Sequence, residues 1–389
     1  MSGMVNGLFT QTVTNHKIII ITIPNMPQAW SFWGILFNFV MFVVMARILW
    51  PNYIDPAISR CKNNKYLLII WFFFCILSFW GPDYFGYLLY YDAVRAGSIL
   101  VPLESKYFDI IRLCDNYIIF RSIVWGGACI GVCILLRILR LNIRDFFLFF
   151  IIVFITKYSY ARVFLVFSLC CLGLSIFLSY RKVFYKIIGI CLLVFATGYH
   201  KSALFGVSLA FIALIIPPLN KRAIKIFYFS YPILVVIATY LIGYVINIES
   251  NDDLVLNSAK GYLGNEVKGS GVGILIEDVL TRLPFYLGVW VYIRLISKGK
   301  IESIPTKYVK FGTYSFLIVS IATLFFFDHG ANTKVFYYRL LYYASLPISI
   351  FLGYCYSESL ELQLNRTIIK IGLAGSIYTF IYTMYNALY

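Results

Sequence analysis

The stretch FATGYHKSALFGV, residues 195–207, sets His200, Lys201 and Ser202 together between two apolar runs. Only 13% of the chain is charged and only three residues are histidine, so a His–Lys pair is a costly choice at that place. An imidazole with its ordinary pKa of about 6.5 suits a general base, and a neighbouring ammonium suits an anion. Comparable groups stand elsewhere. Arg162 lies in TKYSYARVFL, Arg282 in LTRLPFYLG and Arg121 a turn into IIFRSIVW. Asp328, His329 and Arg339 share FFFDHGANTKVFYYRLLYY, and Asp83, Tyr87 and Arg95 share GPDYFGYLLYYDAVR. Guanidinium groups in such number fit a phosphate or diphosphate, which arginine grips bidentately.

Each of these residues also has a plainer reading. A single arginine near a helix end can snorkel to the membrane interface, although five or six on one face favour a shared anion. His200 either takes a proton or bonds a carbonyl and holds its hairpin. Asp83, or His329 with Asp328, are the competing sources of the base. The tyrosines around Tyr87 either meet sugar rings or sit at the interface, where tyrosine is common. Cysteines such as Cys75, Cys129, Cys133, Cys170, Cys171 and Cys191 show no C-x-x-C pair or zinc spacing, and read as buried small apolar residues. Gly127 and Gly131 form one G-x-x-x-G, which predicts a close helix contact. No metal and no cofactor are expected.

The elements that must position these groups follow from composition. The chain of 389 residues is 61% hydrophobic and 19% aromatic, with a mean hydropathy of +0.82. No soluble domain of that balance can cover its surface with polar groups. The expected fold is all-α, a single polytopic transmembrane bundle over residues 1–389. Twelve crossings are predicted, at 30–49, 66–80, 117–136, 145–157, 163–180, 186–199, 202–219, 226–247, 280–297, 311–327, 339–356 and 367–388. The first fifteen residues lack the basic start and apolar core of a cleavable signal.

The net charge of +16 is explained by placement. Divided between the two sides, the basic residues fall 20 to 13 and the acids 5 to 12, giving +15 on one side and +1 on the other. The basic side is cytoplasmic by the positive-inside rule, so no nucleic-acid partner is implied. Two long connections, about 81–116 and 248–279, fall on the other side and suit a site entrance. His200, Arg162, Arg282 and Arg339 come to the same outer face.

With these residues in place, YARVFLVFSLCCLGLSIFLSYRK…LLVFATGYHKSALFG resembles the EpsG-type polysaccharide polymerases, relatives in role of the Wzy O-antigen polymerases. Arg162 after a short outer hairpin and His200-Lys201-Ser202-Ala203 at the next stand at matching places. GPDYFGYLLYY is similar to the family's D-x-x-x-Y segment, through Asp83 and Tyr87, and YYRLLYYAS to its final arginine-bearing span, through Arg339. Arg162 is followed by Val-Phe-Leu, where the family usually has smaller residues. The resemblance implies a fold like the GT-C glycosyltransferases, a polyprenyl-diphosphate-linked oligosaccharide substrate, and polymerisation on the outer face of a bacterial plasma membrane. A chain-length regulator and a flippase are the further partners it suggests.

Such a reaction needs charge stabilisation at the diphosphate leaving group and a base for the acceptor hydroxyl. No D-x-D stands in the first outer loop, and Asp252 and Asp253 in the second are adjacent. Metal-independent catalysis is therefore expected. Arg162 and Arg339 would hold the diphosphate, with Arg282, Arg121, Arg95 or Lys201 assisting. A lipid-linked oligosaccharide flippase and a membrane acyltransferase are the rival readings; the product separates all three.

Overall fold

The computed structural model describes residues 28–56, 66–76, 88, 91–96, 105–154, 161–199, 203–247, 272–324 and 331–388. Helix makes up 89% of them, and they contain no strand. The order is α1 (Gln28–Ile54), α2 (Tyr66–Ile76), α3 (Ser105–Leu113), α4 (Tyr117–Leu139), α5 (Ile143–Phe149) with a π-helical turn (Phe150–Phe154), α6 (Ala161–Ser179), α7 (Val183–Ala196), α8 (Ala203–Ile215), α9 (Lys221–Asn247), α10 (Val272–Ser297), α11 (Thr306–Leu324), α12 (Ala331–Ser357) and α13 (Leu362–Leu388). Each of the twelve apolar runs overlaps one helix; the short α3 lies in the first long connection.

Helix is the form dictated by these runs, because a segment surrounded by apolar matter must satisfy its backbone groups within itself. Asparagines start three of the helices. The side chains of Asn116, Asn142 and Asn220 accept from the backbone N–H groups of Ile118, Arg144 and Ala223 at 2.7, 2.8 and 2.8 Å. Arg140 ends α4 in the left-handed region, with φ 57°. Among the described residues, five stretches are long and apolar enough to cross a membrane: Phe32–Ile54, Tyr117–Leu139, Val279–Ser297, Leu340–Ser357 and Leu362–Tyr385. The outward faces agree. Along α9, Phe229, Ile233, Val236 and Tyr240 are all exposed, a stripe at helical spacing that lipid would solvate and water would not.

Two helices start a full eight residues before their apolar runs. α10 begins at Val272, inside the predicted outer connection 248–279, and α12 begins at Ala331. α12 opens on the polar Ala-Asn-Thr-Lys, and in α10 Glu277 and Asp278 separate the apolar opening from the main apolar run, so neither start reads as part of a continuous span.

Ring and backbone contacts fix which way the helices run. Trp125 meets Phe164 at 5.4 Å, and Ser168 donates to the Ala128 carbonyl at 3.1 Å, so α4 and α6 are parallel. A methyl on Gly131 would collide with Ser168 Oγ, while one on Gly127 would reach Leu165 Cδ1 at 3.5 Å. The predicted close contact is thus between α4 and α6. Tyr286 meets Tyr337, and Tyr292 meets Phe351 at 5.5 Å, so α10 and α12 are parallel. Tyr308 stacks on Tyr354 at 3.9 Å, so the start of α11 lies beside the end of α12. Tyr314 donates to the Gly206 carbonyl at 2.8 Å, and Lys310 donates to those of Leu214 and Ile216; α8 therefore runs against α11 and with α12.

One end of the bundle collects helix C-termini and most of the described basic residues. There Lys307 and Tyr308 donate to the Leu139 carbonyl at 2.8 and 2.6 Å. Arg144 donates to Ile48 at 2.6 Å and Arg366 to Ile54 at 2.8 Å. Helix C-termini leave carbonyls without intrahelical donors, and cations complement them. The half-exposed Arg294 and Lys298 of α10 close on the nearly buried Glu361, which joins that helix to the start of α13.

Candidate functional site

The opposite end of the bundle receives the first turns of α4, α6, α8, α10 and α12. A string of contacts links the arginines there. Arg121 stands one turn before Trp125, which meets Phe164, two residues after Arg162. Phe167 then meets Tyr343 at 4.1 Å. Arg162 and Arg339 lie five and four residues before that pair, or about 6–8 Å toward the same end at 1.5 Å per residue. Tyr343 also touches Phe205 at 6.4 Å, just inside the start of α8. Tyr337, two residues before Arg339, holds Arg282. Four arginines and the start of α8 therefore share one end of the bundle.

Three of these arginines also stand at matching depths in the helices fit to cross a membrane. Arg121 is the fifth residue of Tyr117–Leu139, Arg282 the fourth of Val279–Ser297, and Arg339 directly precedes Leu340–Ser357. Cations within or beside apolar spans are costly and mark a partner or pathway. The helices place Arg282 and Arg339 about three and two turns from their own starts, deeper than the sequence alone indicates.

Arg282 is the clearest of the group. Its guanidinium lies over the Tyr337 ring, 5.3 Å from the centroid. The Tyr337 and Tyr286 hydroxyls are 2.5 Å apart. Thr323 Oγ1 stands 3.2 Å from Tyr286 Oη and donates to the Val319 carbonyl at 2.7 Å. One turn further back on α11, the Ser320 carbonyl accepts from Tyr231 of α9 at 3.1 Å. Four helices thus converge on one cation and a line of hydroxyls, a set able to grip an anion and hydrogen-bond a polyhydroxylated ligand. Tyr286, Tyr337 and Thr323 were not among the residues singled out by sequence. The one available signal is the Arg282–Tyr286 spacing of four, which puts both on one helix face.

Arg121 and Arg95 have other work. Arg121 is buried, donates to the Cys75 and Ile76 carbonyls at 2.9 and 3.4 Å, and lies 5.9 Å from the Tyr117 ring centre. It ties α4 to the last described turn of α2. Arg95 pairs with Asp115 at 3.2 Å and donates to the Arg112 carbonyl at 3.4 Å, while Tyr91 donates to Cys114 at 2.7 Å. Both residues of that helical turn, one turn apart, fasten it to the corner between α3 and α4.

Arg162 and Arg339 are placed by their helices, and their side chains lie outside the described set. His200, Lys201, Asp83, Tyr87, Asp328 and His329 lie outside the described residues. Among the described residues, no three His, Cys, Asp or Glu side chains gather as a metal site would require. Six of the eight described cysteines are buried, but Cys133 is only half-buried and Cys191, expected to be buried, is exposed on the outward face of α7. No protein-family model, curated protein or solved structure matches the chain.

Proposed function

We propose that this protein is a membrane glycosyltransferase that polymerises polyprenyl-diphosphate-linked oligosaccharide repeats. The observation that carries the reading is the gathering of Arg95, Arg121, Arg162, Arg282 and Arg339 at one end of the bundle. In this reading all twelve helices at the apolar runs cross a bacterial inner membrane in a GT-C-like arrangement. The basic end faces the cytoplasm and the arginine end faces outward.

The growing glycan passes from its lipid diphosphate to a hydroxyl of the next lipid-linked repeat. The glycosidic bond to the leaving phosphate breaks, a bond to the acceptor oxygen forms, and the acceptor proton goes to a base. Arg162, Arg339 and Arg282 neutralise the charge that develops on the diphosphate. His200 is the first choice for the base, ahead of Asp83 and the Asp328–His329 pair. Arg121 and Arg95 hold the neighbouring helices in register. The hydroxyl of the partly exposed Tyr286 suits contact with sugar, while the buried Tyr337 holds it and Arg282 in place. A chain-length regulator and a flippase are the expected protein partners.

Incubation of the purified chain with a lipid-linked repeat, followed by sizing of the product, tests the reading directly. A ladder of lengthened glycan is expected. Translocated lipid of unchanged length would replace the polymerase with a flippase, and an ester on the sugar would replace it with an acyltransferase. Gathering of the cations at one end, away from the midplane, favours the polymerase over the flippase.

A further inference from the structure

At the basic end, a cleft of about 830 Å³ opens between the end of α4, the end of α6 and the start of α11. Its apolar wall is Ile134, Ile138 and Leu178, and its polar wall is Arg137, Arg140 and Lys307. Among the described residues, no acidic side chain lines it. Lys307 is partly committed, since it donates to the Leu139 carbonyl at 2.8 Å. Burial, with Arg140 adding to it, pushes the Lys307 ammonium below the ordinary lysine range. Cations brought together in this way, without an acid on the wall, suit an anion.

A second observation says what kind of anion. Ile123, Ile130 and Ile134 are exposed on α4, Ile130 at 61% and Ile134 at 44%. Their spacing of seven and four puts them on one face, and Arg137 continues it at the next three. From Ile123 to Arg137 this stripe rises about 21 Å at 1.5 Å per residue, somewhat more than one leaflet's share of a hydrocarbon core roughly 30 Å thick. Exposed Tyr180, stacked on Tyr185 at 4.5 Å, borders the cleft at the level where interfacial tyrosines are expected. An apolar track one acyl chain long thus ends in a basic cleft.

We propose that this cleft binds the phosphodiester headgroup of an anionic phospholipid, with an acyl chain along the Ile123–Ile134 face of α4. The site is separate from the arginine end, and the proposal stands whether or not the chain is a polymerase. Basic pockets between membrane helices are suited to such headgroups, and each cation near a charged bilayer contributes roughly fivefold to binding.

The test uses the full-length protein in detergent, titrated by native mass spectrometry. Phosphatidylglycerol, phosphatidylcholine of the same chains, and inorganic phosphate are the three probes. Retention of phosphatidylglycerol alone is expected, and the pair R137Q/R140Q should weaken it by about 25-fold. Equal retention of the two lipids, or an unchanged double variant, would overturn the proposal. Equal binding of inorganic phosphate would show a site for a free anion instead. Should the double variant fail to fold, a photoreactive phosphatidylglycerol decides on the wild type. Crosslinks within residues 130–140 or 305–307 support the site, and crosslinks only elsewhere remove it.

Discussion

The Arg282 guanidinium lies over the ring of Tyr337, whose hydroxyl meets Tyr286 at 2.5 Å. One helix, α10, thereby supplies both the cation on the ring face and the partner of the ring's hydroxyl. The two contacts can be separated by mutation. Tyr337→Phe keeps the ring beneath Arg282 and removes only the hydroxyl pair, whereas Arg282→Gln removes the charge. Polymer yield per unit time should fall about 10- to 100-fold in Arg282→Gln, or roughly 1.4–2.7 kcal/mol, and by no more than about tenfold in Tyr337→Phe. Initial rates of repeat incorporation check the order; equal losses would assign Arg282 to the ring alone.

Arg121 should behave differently from Arg162 and Arg339. Its donors reach two carbonyls of α2 from a buried position, so Arg121→Gln leaves acceptors unsatisfied and costs about 1–3 kcal/mol of stability. Arg162→Gln and Arg339→Gln should instead lose about 10²- to 10³-fold in turnover with little change in melting temperature. Thermal unfolding in detergent, run beside the incorporation assay, separates the two classes. A fall in melting temperature for all three would make the arginine end a structural feature.

How much of this the sequence held depends on the kind of signal. Apolar runs foretell helices because lipid and core impose the same requirement on every turn. G-x-x-x-G foretells a close contact because only a missing side chain admits the neighbour, and Gly131 against Ser168 is that contact. The arginine end is legible because alternation puts the even-numbered connections on one side. What sequence could not supply is a partner whose residue type is irrelevant. Arg144, Lys307 and Arg366 read as topological charge, yet Lys307 and Arg366 donate to the carbonyls of the last residues of α4 and α1, and Arg144 to that of Ile48 nearly two turns earlier. Tyr337, Tyr286 and Thr323 come from three helices, and only packing brings their hydroxyls together.

The α4–α6 contact makes a stability prediction from two neighbouring glycines. A methyl at Gly131 must displace Ser168 Oγ, which is held by its bond to Ala128. Overpacking of that kind costs about 1–3 kcal/mol, so Gly131→Ala should melt measurably lower. Gly127→Ala meets Leu165 Cδ1 at 3.5 Å, an ordinary contact, and should melt at or slightly above the wild-type temperature. The reverse order in a thermal unfolding series would place the close approach elsewhere.

His200→Ala should abolish long polymer while expression and membrane insertion stay normal. Asp83→Asn, His329→Ala and Asp328→Asn serve as the parallel series, since these are the competing candidates for the base in the proposed reaction. A base with an imidazole's pKa gives a rate that rises with pH through about 6 to 7 and then levels, as the neutral form appears. A carboxylate base would already be ionised there and would give a flat profile over the same range. Wild-type chain lengths from His200→Ala would take it out of the mechanism.

The last prediction concerns how the leaving diphosphate is neutralised. A diphosphate released from a sugar needs fixed positive charge at the moment its bond breaks, and a divalent ion or several guanidinium groups can supply it. At the arginine end the cation count is high: Arg282 is in place over Tyr337, and the helices carry Arg162 and Arg339 to the same depth. Guanidinium groups are permanently charged and fork onto paired oxygens, so under the proposed function they would perform this task at any working pH. Polymerisation should therefore persist in excess chelator at close to its full rate. It should fail in the Arg162→Gln/Arg339→Gln pair whether or not divalent ion is supplied. Loss of activity in chelator that magnesium or manganese restores would instead assign the leaving group to a metal, and the arginines to binding the lipid before reaction.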